Sequence, residues 1–129
     1  MRNETYQGLL SLHSWGEADD ILFLSSLSEP VAEELGWMSG KQVTVRYWVT
    51  DKPCTRDEAA EAAMRIVMGE ADVYLNSRYS EMTGYLWTDE DLNVGGHDLL
   101  REFRSSIGKW LILEVEEVTP NAEVRGAAK

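Results

Sequence analysis

From Lys41 to Thr50 the chain alternates without a break: Val43, Val45, Tyr47 and Val49 fall on one side, Thr44, Arg46, Trp48 and Thr50 on the other. A period of two belongs to an extended strand, and β-branched and aromatic residues suit its pleated surface. A strand of this kind needs neighbours, so the rest of the chain is read for what can pair with it.

Tyr6 to Trp15 reads as a second strand, with leucines on both faces. Ile21 to Ser26 is a third, following the polar turn Gly16 to Asp20, and the two form a hairpin. Thr83 to Trp87 and Lys109 to Val118 are further strands, while Glu70 to Ser80 has no decisive pattern. Ser28 is placed to cap a short helix with Pro30 in its first turn and Gly36 at its end. Thr55 and Glu58 have the spacing of a capping box, which opens a helix through the alanines toward Gly69. Asp89 to Gly96 reads as a loop, and His97 to Ile107 as a helix with Leu99, Leu100, Phe103 and Ile107 in one stripe. Met38 to Val45 and Ser106 to Leu113 share a Gly–Lys step into a strand, a local likeness and not a repeat.

The expected fold is α+β. It is a curved, mainly antiparallel sheet of about four to six strands with two or three helices on one face or end. A barrel-like closure between the first and last strands is compatible with the pattern. The expected organisation is one compact domain over residues 1–118 and a flexible tail over 119–129, where Pro120 and the lack of periodicity end the pattern.

Charge narrows the function. The 129 residues carry a net charge of −11. Asn3 to Gly40 holds seven acids and no Lys or Arg, and Ile66 to Leu100 holds seven acids against Arg78 alone. Such a chain is unsuited to phosphate backbones and anionic membrane surfaces, so neither nucleic acid nor membrane is an expected partner. The apolar runs are far too short to span a bilayer, the MRNETYQG start has no signal-peptide character, and Cys54 has no disulfide partner. Together these features suggest a soluble protein of the cytoplasm.

Motifs of chemistry are sparse. Asp89, Asp91 and Asn93 reproduce the opening of a calcium loop, but Val94 holds the glycine position and Leu100 the closing glutamate position. They are weak metal candidates. Gly95-Gly96 before His97 could cradle phosphate on free N–H groups, yet the nearby acids would repel it. His13 and His97 lack metal-ligand spacing, Cys54 lacks a catalytic partner, and no G-x-S-x-G elbow occurs. No cofactor is expected.

The function expected from this sequence is therefore non-enzymatic docking of an acidic face on a basic protein surface. Its candidate residues are Glu17, Asp19, Asp20, Glu29, Glu33, Glu34, Asp89, Glu90 and Asp91. Trp48 is added as an exposed aromatic anchor, because it shares a strand face with Thr44 and Arg46. A patch of this kind can occupy a groove built for phosphates, as phage-encoded inhibitors of bacterial defence complexes do; the analogy is one of charge and size. The alternatives are a small barrel binding a ligand or metal, with or without catalysis, and a self-associating subunit. The sequence leaves the oligomeric state open.

Overall fold

A computed structural model describes residues 2–15, 18–80, 82 and 85–118, with the backbone alone at 77–80 and 85–88. Glu17 and the expected tail at 119–129 lie outside the described residues. Among them the chain forms seven strands: β1 (Asn3–Trp15), β2 (Ala18–Leu24), β3 (Gln42–Thr50), β4 (Arg65–Ser80), β5 (Tyr85–Val94), β6 (His97–Asp98) and β7 (Trp110–Glu117). Two short helices, α1 (Val31–Glu34) and α2 (Leu99–Arg104), and two 3-10 turns, Leu35–Met38 and Glu58–Glu61, complete it. The strands build one antiparallel sheet in the order β2-β1-β7-β3-β4-β5-β6.

The sheet is curled around its core but not closed by a ladder. Val43, Val45 and Tyr47 of β3 point inward beside Leu111, Leu113 and Val115 of β7, and meet Leu10, Leu22 and Leu24 of the hairpin. From the other end come Val67, Ala71, Val73, Leu92 and Val94. The two helices fill the hollow with Val31, Ala32, Leu99, Leu100 and Phe103, whose ring meets Tyr47 edge-on at 5.2 Å. Burial of this apolar set is the main favourable term in folding.

Several local expectations are met. The β1–β2 hairpin forms, and β3 and β7 pair along eight residues from Val43↔Glu117 to Thr50↔Trp110. The joints before β3 and β7 have one geometry: Lys41 N–H donates to Met38 O and Lys109 N–H to Ser106 O, both at 3.0 Å.

Others are corrected. There are more strands than expected, and β1 and β7 are neighbours within an open sheet and not the seam of a barrel. The capping box is real: Thr55 N–H donates to Glu58 Oε1 at 2.8 Å and Glu58 N–H to Thr55 Oγ1 at 3.2 Å. Its helix, however, stops as a single 3-10 turn, and the backbone is extended by Ala62. Beyond that point Ile66 pairs with Arg46 and Val67 with Val45, so β-pairing and burial of Val67 outweigh helix propagation. Ser28 is not the cap of α1, because Pro30 holds that position, and Gly36 lies inside the following 3-10 turn. The Asp89 to Gly96 loop is mostly strand β5, and the helix after it begins two residues later, capped by Asp98 accepting from Arg101 N–H at 3.1 Å.

Strand β4 changes partner midway: it pairs β3 through Arg65 to Glu70 and β5 from Ala71 onward. At that change Gly69 has φ +141° and Gly95 crosses against it; a Cβ on Gly95 would stand 2.1 Å from the Met68 carbonyl oxygen. Gly95→Ala is expected to destabilise the fold by roughly 2–3 kcal/mol in urea unfolding. Gly36→Ala, with open space around the new methyl, is expected to stay within about 0.5 kcal/mol of the parent.

Candidate functional site

Seven ion pairs are formed among the described residues: Arg2–Glu4, Lys41–Glu117, Arg46–Glu116, Arg56–Glu114, Arg65–Glu102, Arg104–Glu90 and Lys109–Asp51. Most lie on the β1–β7–β3 side of the sheet. Asp19, Asp20, Glu29, Glu33, Glu34, Glu70, Asp72 and Asp91 form no ion pair among the described residues. Of these pairs only Arg2–Glu4 and Arg104–Glu90 engage an acid of the two acidic stretches.

Strand periodicity then gathers acids on one face. Ala71, Val73, Leu92 and Val94 point into the core, so Glu70, Asp72, Asp91 and Asp89 point outward from β4 and β5, with Asn76 and Asn93 beside them. Asp72 lies opposite Asn93 in the ladder and Asn76 opposite Asp89. This is a carboxylate-and-amide surface with Tyr74 half-buried within it.

Glu90, one residue out of phase, points the other way. Its side chain is 4% exposed, and Oε2 accepts from Arg104 Nη2 at 2.6 Å and from Leu22 N–H at 3.2 Å. The same Arg104 nitrogen donates to the Asp20 carbonyl at 2.7 Å, from a residue with φ +54°. One guanidinium therefore joins β5, β2 and α2 across the gap that the ladder leaves open. Asp19 and Asp20 on β2 and Asp89 and Asp91 on β5 flank this seam, although about seventy positions separate them in the chain. α1, with Glu33 and Glu34, packs against β2, β4 and β5 beside it. Among the described residues Glu90 Oε1 is buried without a hydrogen-bond partner. Burial pushes the carboxyl above its ordinary value, and the bonds from Arg104 and Leu22 only partly offset this.

Two expected docking residues are corrected. Glu90 is a buried strut and not a surface acid. Trp48 is 2% exposed: the segment after Asp51 folds over it, so that Ala59 and Ile112 enclose the indole and the Arg56 guanidinium lies 3.9 Å from its ring. A convex sheet face is not automatically a wet one, and the alanines at 59 and 62 were the signal for a cover over it. Asp19, Asp20, Glu29, Glu33 and Asp89 are exposed, and Glu34 and Asp91 are half-buried.

The metal candidates Asp89, Asp91 and Asn93 lie along a strand and not in a wrapping loop, and Asn93 Nδ2 donates to Asp91 Oδ1 at 2.7 Å. Among the described residues no three His, Cys, Asp or Glu side chains converge as a metal would require. His13 is exposed and meets Phe23 edge-on. Cys54 is half-buried beside Thr50, and Trp110 donates to its carbonyl.

Sequence reasoning missed a groove between β4 and α2, lined by Tyr47, Val49, Ala63, Arg65, Glu102, Ser105 and Ser106. There Tyr47 donates to Glu102 Oε2 at 2.6 Å and Arg65 lies 3.1 Å from Oε1. Burial, then the Glu102 bond, pushes the Tyr47 phenol far above its ordinary value, so it is held as a donor. No described helix is long and apolar enough to cross a membrane. No family model matches this chain, and comparisons with curated proteins and with solved structures return no match.

Glu90 gives a pH dependence with a definite sign. A carboxyl raised in the folded state binds its proton more tightly there, so its contribution to stability falls as pH climbs from the ordinary carboxylate value through the raised one. Chemical denaturation across that window should show this loss in the parent and a flatter profile in Glu90→Gln. Arg104→Ala, which leaves the buried carboxylate uncompensated, should cost roughly 2–4 kcal/mol at neutral pH. Replacing the pair together by Glu90→Leu and Arg104→Met should cost less.

Proposed function

We propose that this chain is a non-enzymatic docking module that presents an acidic face to a basic partner surface. The carrying observation is the segregation of charge. Asp19, Asp20, Glu33 and Glu34 near the β2–β5 seam and Glu70, Asp72 and Asp91 on the outer β4–β5 face form no ion pair among the described residues, while most described cations are neutralised elsewhere. A patch of this kind attracts Lys and Arg clusters, raises the rate of encounter and selects against acidic partners. Its chemistry matches the surface a nucleic-acid-handling protein offers to phosphates, and occupancy of such a groove is the mode of inhibition proposed for it. The filled interior favours docking over an enclosed ligand, since helix and sheet side chains occupy the hollow of the curled sheet.

Affinity capture with the parent and with a variant carrying Asp19→Asn, Asp20→Asn, Asp72→Asn and Asp91→Asn tests this. The parent is expected to recover a partner with a basic surface. Recovery should fall at least about tenfold in the variant, and likewise as salt rises from about 0.1 M to about 1 M, where the Debye length shrinks from about 10 Å to about 3 Å. Recovery that ignores both neutralisation and salt would overturn the proposal.

A further inference from the structure

Met64, Ile66 and Met68 are 49%, 46% and 64% exposed, three alternate residues aimed outward around the start of β4. Val67 between them is 8% exposed and belongs to the core. The stripe borders an unfinished sheet edge. β4 pairs β3 through Arg65 to Glu70 on one side, but on the other β5 begins only at Ala71. Gly95 crosses at Gly69, leaving Arg65 to Met68 without a second strand among the described residues.

Edges of this kind are normally blunted by proline, by lysine or by a bulge that turns them away. None of these stands in Met64 to Met68. Arg65 is held by Glu102 beside the groove between β4 and α2, and Arg46, opposite Ile66 on the outward face, is held by Glu116. Methionines adapt their shape to whatever lies on them.

We propose that this edge receives an extended segment of the partner, which adds a strand beside β4. Apolar side chains at alternate positions of that segment lie along Met64, Ile66 and Met68, and Lys or Arg stands at its ends. The charge assignment comes from what flanks the stripe: Glu61 at one end, and Glu70 and Asp72 at the other, all exposed. A second copy of this chain fits poorly. Each copy carries −11, and antiparallel pairing centred on Ile66 would bring Glu70 of one near Glu61 of the other. The basic character of the occupant rests on the function proposed above; the strand site itself rests on the open edge and the stripe. Backbone bonds would supply affinity and the alternate side chains selectivity.

The probe is a short labelled peptide with valines at alternate positions, threonines between them and a lysine at each end, titrated against the full chain by fluorescence anisotropy. A peptide of the same composition with its valines grouped together, and one with glutamate at each end, serve as comparisons. The alternating lysine peptide is expected to bind at least about tenfold tighter than either. Combining Ile66→Thr with Met68→Thr should erase its advantage over the grouped peptide. Both positions are exposed, and Met68→Thr alone keeps the test if the double variant loses its fold. Equal binding of the two lysine peptides would overturn the strand site and leave acidic docking standing. Equal binding of the lysine and glutamate peptides would overturn the basic occupant and the function it rests on. A concentration-dependent dimer in sedimentation velocity, abolished by Ile66→Thr and Met68→Thr, would overturn the proposal in favour of a second copy.

Discussion

The change of partner within β4 shapes the whole molecule. One strand serves two ladders, β3 up to Glu70 and β5 from Ala71, and the chain makes the transition where Gly69 and Gly95 touch backbone to backbone. Sheets twist by nature, and a strand bent at such a crossing carries β5 around until it faces β2. The curl creates the hollow that α1 and α2 fill. It also leaves the lower half of β4 with an edge that no strand among the described residues pairs. Core, seam and open edge are three results of one bend.

At the seam the molecule uses polar chemistry where a closed barrel would use a ladder. Glu90 is costly to bury beside the partly exposed Arg104, and an Oε1 without a hydrogen-bond partner among the described residues adds to that cost. In exchange the pair fixes the relative position of three elements through single atoms. It also ties the β2 segment that carries Asp19 and Asp20 to the β5 segment that carries Asp89 and Asp91, so the layout of the acidic surface depends on one guanidinium.

Much of this was readable from residue order, and the failures have physical causes. β1, β2, β3 and β7 announce themselves because each has a coherent apolar face or a hairpin turn. The core face of β4 and β5 is Ala71, Val73, Leu92 and Val94, small residues interleaved with Asp72, Asp91 and Asn93, and local acidity disguises it as loop. Parity was the available signal: Leu92 and Val94 point inward, which places Glu90 inward and its two aspartate neighbours outward. The aborted helix after Thr55 is a case of tertiary pairing overriding a sound local start. Trp48 was misjudged because a strand's second face is buried or exposed according to what the loops do, and periodicity carries no information about that. Asp19, Asp20, Glu29 and Glu33 are exposed acids, as residue order suggests, but that Asp19 and Asp20 on β2 come to lie across a seam from Asp91 on β5 required the fold.

The Leu22 amide, unlike its neighbours in the hairpin, is bonded to a carboxylate from a distant strand. Local openings draw on the least supported contacts of a structure, and here the polar support is two side chains, Glu90 and Arg104, bridging two strands. The curled sheet thus has a weak meridian. Fluctuations that part β2 from β5 would spread the flanking aspartates and let water reach the hollow, while the β7–β3 spine, laced by eight paired positions, stays shut. Unfolding would then begin as an unrolling.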